Sequence, residues 1–298
     1  MIEKAEKLAN MTYSIIAKSC NKVIIGKAYW KGVVLPAILY GAAILDMNEN
    51  EIRKLQRIEN GVARRILGAP RYAAVGTLRG EIGMSEMKTR IIGGRIQYMK
   101  SIEERGNELL KRMLEEMKED ANDRWMKVTR KYLDEIGINE RVCTRMGKEE
   151  IKRKCREMDN RKWKEELEGK SSLGIYRRWK KEIKEEKVYD NRPASITLYK
   201  ARTNCLPLNE RKRHQEESTI CEICGEGVED IKHFMLYCRE WNEERRKIID
   251  LQQPYEEREE DIIGRFLFAE ERLEEKKEFL HNIWKKRELK LKELKGDN

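Results

Sequence analysis

The sequence predicts a mainly α-helical protein: an elongated multi-helix bundle, a charged helical middle, and a small CCHC zinc module with flanking helices. Three observations lead there. Of 298 residues, 40% are charged and 39% hydrophobic, with only 5 prolines, a composition suited to solvent-facing helices. Apolar residues recur at three- and four-residue intervals between asparagine or serine starts and glycine stops. One loop then carries Cys221, Cys224, His233 and Cys238 at Cys-x2-Cys-x8-His-x4-Cys spacing. The expected divisions are 1–105 (helical segment), 106–190 (charged helical connector) and 191–298 (zinc module and C-terminal helices).

Taken in order, Met1 to Leu45 reads as two helices, the second kinked or interrupted by Pro36. Asn48 or Asn50 caps the next, NENEIRKLQRIENGVARRILG, which stops at Gly68 before Pro70. At about 100° per residue its faces separate. Leu55, Ile58, Val62 and Ile66 fall on one side, with Arg53, Arg57, Asn60 and Arg64 opposite. Such a stripe is either a solvated charged face or a line of guanidinium groups spaced for successive phosphates. Arg71 and Arg79, followed by Lys88, Arg90 and Arg95, continue the basic run and favour phosphate. Ser85 is the expected start of a helix reaching Arg105, in which Gly93 and Gly94 mark close packing.

From 106 to 190 several amphipathic helices are expected, broken near Gly137, Gly147, Gly169 and Gly174, with Trp125, Trp163 and Trp179 as buried anchors. Pro193 and Ser195 open ITLYKARTN. Lys200, Arg202, Arg211, Lys212 and Arg213 then form a basic edge beside the metal loop. Charged helices finish the chain, and its closing lysine-rich run is expected to fray.

The loop suits one structural Zn²⁺. Two cysteines separated by two residues aim both sulfurs at one point, and Gly225 permits the tight turn after them. Four protein ligands leave no place for a reacting water. Its apolar residues Val228, Ile231, Phe234, Met235 and Leu236 are too few for a core, so the ion is expected to hold the loop. An odd count of seven cysteines and no secretory signal at the start argue against disulfides and for an intracellular chain, in cytoplasm or nucleus.

The chain carries +10. Lys plus Arg outnumber Asp plus Glu by 16 to 8 over residues 1–99, but stand at 22 against 24 over 191–298. A basic first third permits a phosphate-bearing partner. Nothing approaches eighteen apolar residues in a row, so no membrane partner is expected. There is no glycine-rich phosphate loop, no Gly-x-Ser-x-Gly, and no nucleophile beside His214, His233 or His281, so no enzyme is expected.

Two stretches resemble one family. LPAILYGAAIL with KLQRIENGVARRILGAP and TLRGEIG resembles the thumb segment of non-LTR (LINE-type) retrotransposon reverse transcriptases. ITLYKARTNCLPLNERKRHQ with CEICGEGVEDIKHFMLYC resembles the zinc-binding module near the C-terminus of the same polyproteins. The resemblance implies a thumb-like bundle and the same four metal ligands. It also implies a partner, RNA or an RNA/DNA hybrid. Polymerase chemistry in that family uses an Asp-Asp run for two Mg²⁺, and this sequence has no Asp-Asp pair. The expected function is therefore nucleic-acid binding by a reverse-transcriptase-like fragment without the palm. The alternatives are a zinc-stapled helical protein-interaction or assembly module, or a non-functional retroelement remnant.

Overall fold

The structure, a computed structural model, describes residues 1–211, 218–248 and 258–296. The expectation of a mainly α protein holds. Fifteen α-helices are present among the described residues, and the sole strand-like feature there is an antiparallel bridge between Ile220 and Val228. They fall into two compact units, which interleave along the chain: 1–66, 79–166 and 182–185 form the first, and 67–78, 167–181 and 186–298 the second. The charged middle, 106–190, thus contributes to both.

In the first unit, α1 (Ile2–Lys18) buries Ala5, Ala9, Thr12 and Ile16, spaced four, three and four residues apart, which is one face of a helix. Asn21 caps α2 (Lys22–Tyr29) by accepting from the Val23 and Ile24 N–H groups at 3.1 Å each. The interruption expected at Pro36 takes the form of a change of helix type. A π-helical turn, Trp30–Val34, runs straight into α3 (Leu35–Leu39) with Pro36 in its first turn. Proline lacks the N–H that an α-helix requires, and an i→i+5 turn just before it absorbs the mismatch. The helix ends at Leu39, short of the expected Leu45, with Gly41 at φ 78°.

α4 (Glu49–Leu67) begins with a reciprocal cap. Asn48 Oδ1 accepts from the Asn50 and Glu51 N–H groups, and Glu51 Oε2 accepts from the Asn48 N–H. Gly68, at φ 63°, follows the helix. α5 (Val75–Ile82) leads to α6 (Met87–Arg105). Ser85 is not the cap: tertiary partners take that role. Gln56 Oε1 accepts from the Met87 N–H at 2.7 Å, and the Asp159 carboxylate accepts from the Glu86 N–H at 3.2 Å. α7 (Glu108–Glu119), α8 (Arg124–Glu135) and α9 (Glu140–Arg145) are each capped by Asn or Asp. α10 (Lys148–Glu168) buries Trp163 completely.

The second unit holds α11 (Gly174–Trp179), α12 (Pro193–Arg202), α13 (Asn242–Arg246), α14 (Glu259–Phe268) and α15 (Leu273–Lys295). α12 packs on α15 and α14, and α11 packs on α14. α12 starts at Pro193, while Ser195 instead bonds the Asp190 carboxylate at 2.7 Å. The end of α15 remains helical through Lys295, ahead of Gly296 at φ 71°, where fraying was expected. Arg287 is buried within that stretch. No helix among the described residues is long and apolar enough to cross a membrane.

Candidate functional site

Two local devices bring the four metal-ligand candidates together. The first is the turn carrying Cys221 and Cys224. The Gly225 N–H donates to Cys221 O at 2.8 Å, and the Cys221 N–H donates to Gly227 O at 3.0 Å. Both glycines sit in the left-handed region, at φ 72° and 65°, which other residues reach only at a cost. The second is a π-helix, His233–Tyr237, ending in a Cys238 N–H that donates to His233 O at 2.8 Å. In an α-helix, residues five apart diverge by roughly 140°. The i→i+5 turn turns His233 and Cys238 back toward one side.

The three sulfurs and an imidazole nitrogen lie within 4.8 Å of one another, and all four residues are buried. His233 presents Nε2, 3.3 Å from Cys224 Sγ. Metal–sulfur bonds of about 2.3 Å place tetrahedral ligands roughly 3.8 Å apart, so this cluster could hold one metal ion. Backbone polarity supports it: the Glu226 N–H donates to Cys224 Sγ at 3.4 Å. Hydrogen bonds from the Cys238 thiol and from backbone N–H groups pull the Cys221 thiol down to about 5 against burial. Cys238, as the donor, is pushed up. This environment favours the thiolate form that a metal ion requires of its cysteine ligands.

The module also has a core that the loop residues alone did not reveal. Phe234 packs edge-on against Trp241 and Trp284, with ring centroids 6.5 and 6.0 Å apart, so α15 supplies what the loop lacks. Asp230 Oδ1 caps the His233 N–H at 2.7 Å. Glu229 is buried 3.8 Å from Cys221 Sγ and gripped by both arms of Arg287 at 2.6 Å. Buried Arg245 donates to the carbonyls of Met235 and Cys238 at 2.8 and 2.7 Å. Nothing local marks Arg287 or Arg245 as partners, because their acceptors belong to other elements.

Comparison with models of known protein families, with curated proteins and with solved structures returned no match.

The cations expected to meet phosphate divide by environment. Arg53 and Arg57 are exposed on α4. Arg53 donates to Glu49 O and Asn50 Oδ1, and neither has a carboxylate within ion-pair distance among the described residues. Arg64, on the same helix, is half-buried, and Asn60 turns inward to accept from Gln56 Nε2 at 2.9 Å. The polar side of α4 is therefore partly internal: Glu59 accepts from Trp30 Nε1 at 2.9 Å and from Arg90 at 2.5 Å. In the second unit, Arg71 is exposed, Lys200 half-buried, and the exposed Arg211 guanidinium lies 4.6 Å from the centre of the Tyr72 ring.

Arg79 and Arg202 require correction. Arg79 is buried and paired with Asp159 and Glu166. Arg202 is buried, donates to Leu267 O at 2.7 Å, and pairs with Glu186. Both hold the interior together and have no surface to offer a phosphate. Lys212 and Arg213 lie outside the described residues. Of the three tryptophans expected as buried anchors, Trp163 is fully buried, whereas Trp125, which donates to Ala43 O at 3.2 Å, and Trp179, which stacks on Phe268, are half-buried.

Proposed function

We propose that this chain binds RNA or an RNA/DNA hybrid by its phosphates, as a reverse-transcriptase-like fragment lacking polymerase chemistry, with one structural zinc in the Cys221–Cys238 loop. The observation that carries the reading is the pair Arg53 and Arg57. They are exposed one helical turn apart without carboxylate partners, in a unit where Lys27, Arg79, Lys88, Arg90 and Lys118 all have one. Exposed guanidinium groups without carboxylate partners at that interval suit successive phosphates. A second grip is available where Arg211 lies beside the exposed Tyr72 ring, next in sequence to the exposed Arg71, a ring on which an unpaired base can stack.

Replacing Arg53 and Arg57 together by alanine is expected to weaken binding of a short RNA duplex and flatten its salt dependence by roughly one slope unit per lost phosphate contact. An unchanged slope would remove the reading. For the metal, zinc is favoured by three sulfurs and an imidazole in a closed set. Elemental analysis should find one zinc per chain, lost in Cys221→Ser together with protease resistance around the loop.

One observation favours the protein-contact reading instead. Tyr40, Ile44 and Leu45 are 85%, 55% and 50% exposed in a single short stretch. Concentration-dependent sedimentation, abolished by Tyr40→Ser/Ile44→Ser and insensitive to RNA, would establish it in place of nucleic-acid binding.

A further inference from the structure

A cleft between α6 and α10 in the first unit plays no part in the reading above. It is an open groove of about 570 Å³, in volume within the roughly 300–1,000 Å³ of small-ligand sites. The Gly93–Gly94 pair lines it, and the two glycines do different things. A Cβ on Gly93 would come into contact with Cys155 Sγ at 3.4 Å, whereas a Cβ on Gly94 would meet nothing within 4 Å. The Gly94 position leaves helix backbone open to whatever enters.

Thr89 supplies the second observation. It lines the cleft, is only 4% exposed, and its Oγ1 has no hydrogen-bond partner. Helical threonines usually return their hydroxyl to a carbonyl three or four residues back, as Thr12, Thr129, Thr197 and Thr203 do here. Four residues before Thr89 is Ser85, which precedes α6. A buried hydroxyl without a partner is costly and calls for an explanation.

The charge on the walls gives the sign of the guest. Arg90, Lys152 and Arg156 line the cleft against one carboxylate, Glu149. Lys152 is paired with Glu149 at 2.6 Å, and Arg90 with Glu59. Arg156 has no carboxylate within ion-pair distance among the described residues. Cys155 is held neutral, its thiol pushed up to about 11 by burial and by Asp159, so it offers no thiolate for covalent capture.

We propose that this cleft binds a nucleotide-sized phosphate ester, with the phosphate at Arg156 and Lys152, the hydroxylated body against the Gly94 backbone, and Thr89 Oγ1 as a hydrogen-bond partner. A free nucleotide and a nucleotide unit of a strand share this chemistry. The inference is independent of the α4 surface and of the metal.

Calorimetric titration of the full chain with adenosine monophosphate at low salt tests it. One-to-one binding is expected, at least about tenfold tighter than for inorganic phosphate or adenosine alone. Thr89→Val and Arg156→Gln should each weaken it about tenfold. Gly94→Leu should block it without lowering the thermal midpoint. Displacement by a short oligonucleotide would assign the site to a strand, and no displacement to a free ligand; either keeps the proposal. Arg53→Ala/Arg57→Ala should leave this binding untouched, which separates it from the phosphate stripe. Adenosine monophosphate binding no tighter than inorganic phosphate, or unaffected by Gly94→Leu and Thr89→Val, would overturn it.

Discussion

Glu229 and Arg287 are buried, at 1% and 4% exposure, beside the Cys221 member of the candidate metal cluster. The pair survives because its lone pairs are filled: Arg287 donates to both carboxylate oxygens, and the Asn209 N–H donates to Glu229 Oε2 at 2.9 Å. A buried ion pair contributes little net stability, yet removing one partner strands the other. Arg287→Met is therefore expected to cost about 3–5 kcal/mol in urea unfolding, and Glu229→Leu/Arg287→Met clearly less than the two single changes added together. Additive losses would mean that the carboxylate and guanidinium do not depend on each other. At this scale, the chemistry of Cys221, Cys224, His233 and Cys238 was legible from spacing. Arg79 and Arg202 were not, because a cation's role is set by partners distant in the chain: Asp159 lies 80 residues from Arg79, and the Leu267 carbonyl 65 from Arg202.

Elements followed local rules until a neighbour intervened. The Asn48–Glu51 cap and the stops at Gly68 and Gly137 were written in residue type, since only short polar side chains cap and only glycine turns left-handed cheaply. The start of α6 was not, because its N–H groups are satisfied by Gln56 and Asp159 from other helices. Glycines show the same division. A Cβ on Gly264 would lie 1.8 Å from Trp179 Nε1, so α14 meets α11 only through a residue without a side chain. Gly264→Ala should lower stability by about 1–3 kcal/mol or more by overpacking. Gly94→Ala, with open space around it and ordinary helical backbone, should raise stability by up to about 1 kcal/mol. Thermal melting of the two variants should move in opposite directions; a shared direction would contradict the packing described for one of them.

Across the whole chain, charge does two jobs. Much of the basic excess of the first ninety-nine residues is internal bracing: Lys27 with Glu185, Arg79 with Asp159, Lys88 with Glu49 and Glu135, Arg90 with Glu59. Arg53 and Arg57 are among the exposed cations without a carboxylate within ion-pair distance among the described residues, which a polyanion could use. The bracing also sets the response to acid. Against the burial that would raise it, hydrogen bonds from Arg192, Ser195 and Lys277 hold the Asp190 carboxyl well below its usual 3.8. Lys88 and Lys162 likewise lower Glu135 against burial, and Lys180 and Arg202 lower Glu186. A depressed carboxyl stabilises the fold above its unfolded value, and that stability is lost as pH falls below it. Unfolding free energy should therefore decline as pH drops below about 4, and Asp190→Asn should be less stable than the parent at pH 6 but show a shallower decline. An equal acid slope in parent and variant would exclude this carboxyl as a contributor.

By itself, the sequence determined the helical class, the gathering of Cys221, Cys224, His233 and Cys238 in one loop, and the helix ends at Asn48, Gly68 and Gly137, because periodicity, ligand spacing and capping are properties of near neighbours. Tertiary structure alone decided that Pro36 follows a π-turn, that Arg79, Arg202 and Arg287 work inside, and that Thr89 is buried beside a cleft with its hydroxyl unpaired. Each of these depends on which distant residue shares a buried space, and desolvation, acting only once that space is closed, assigns the role.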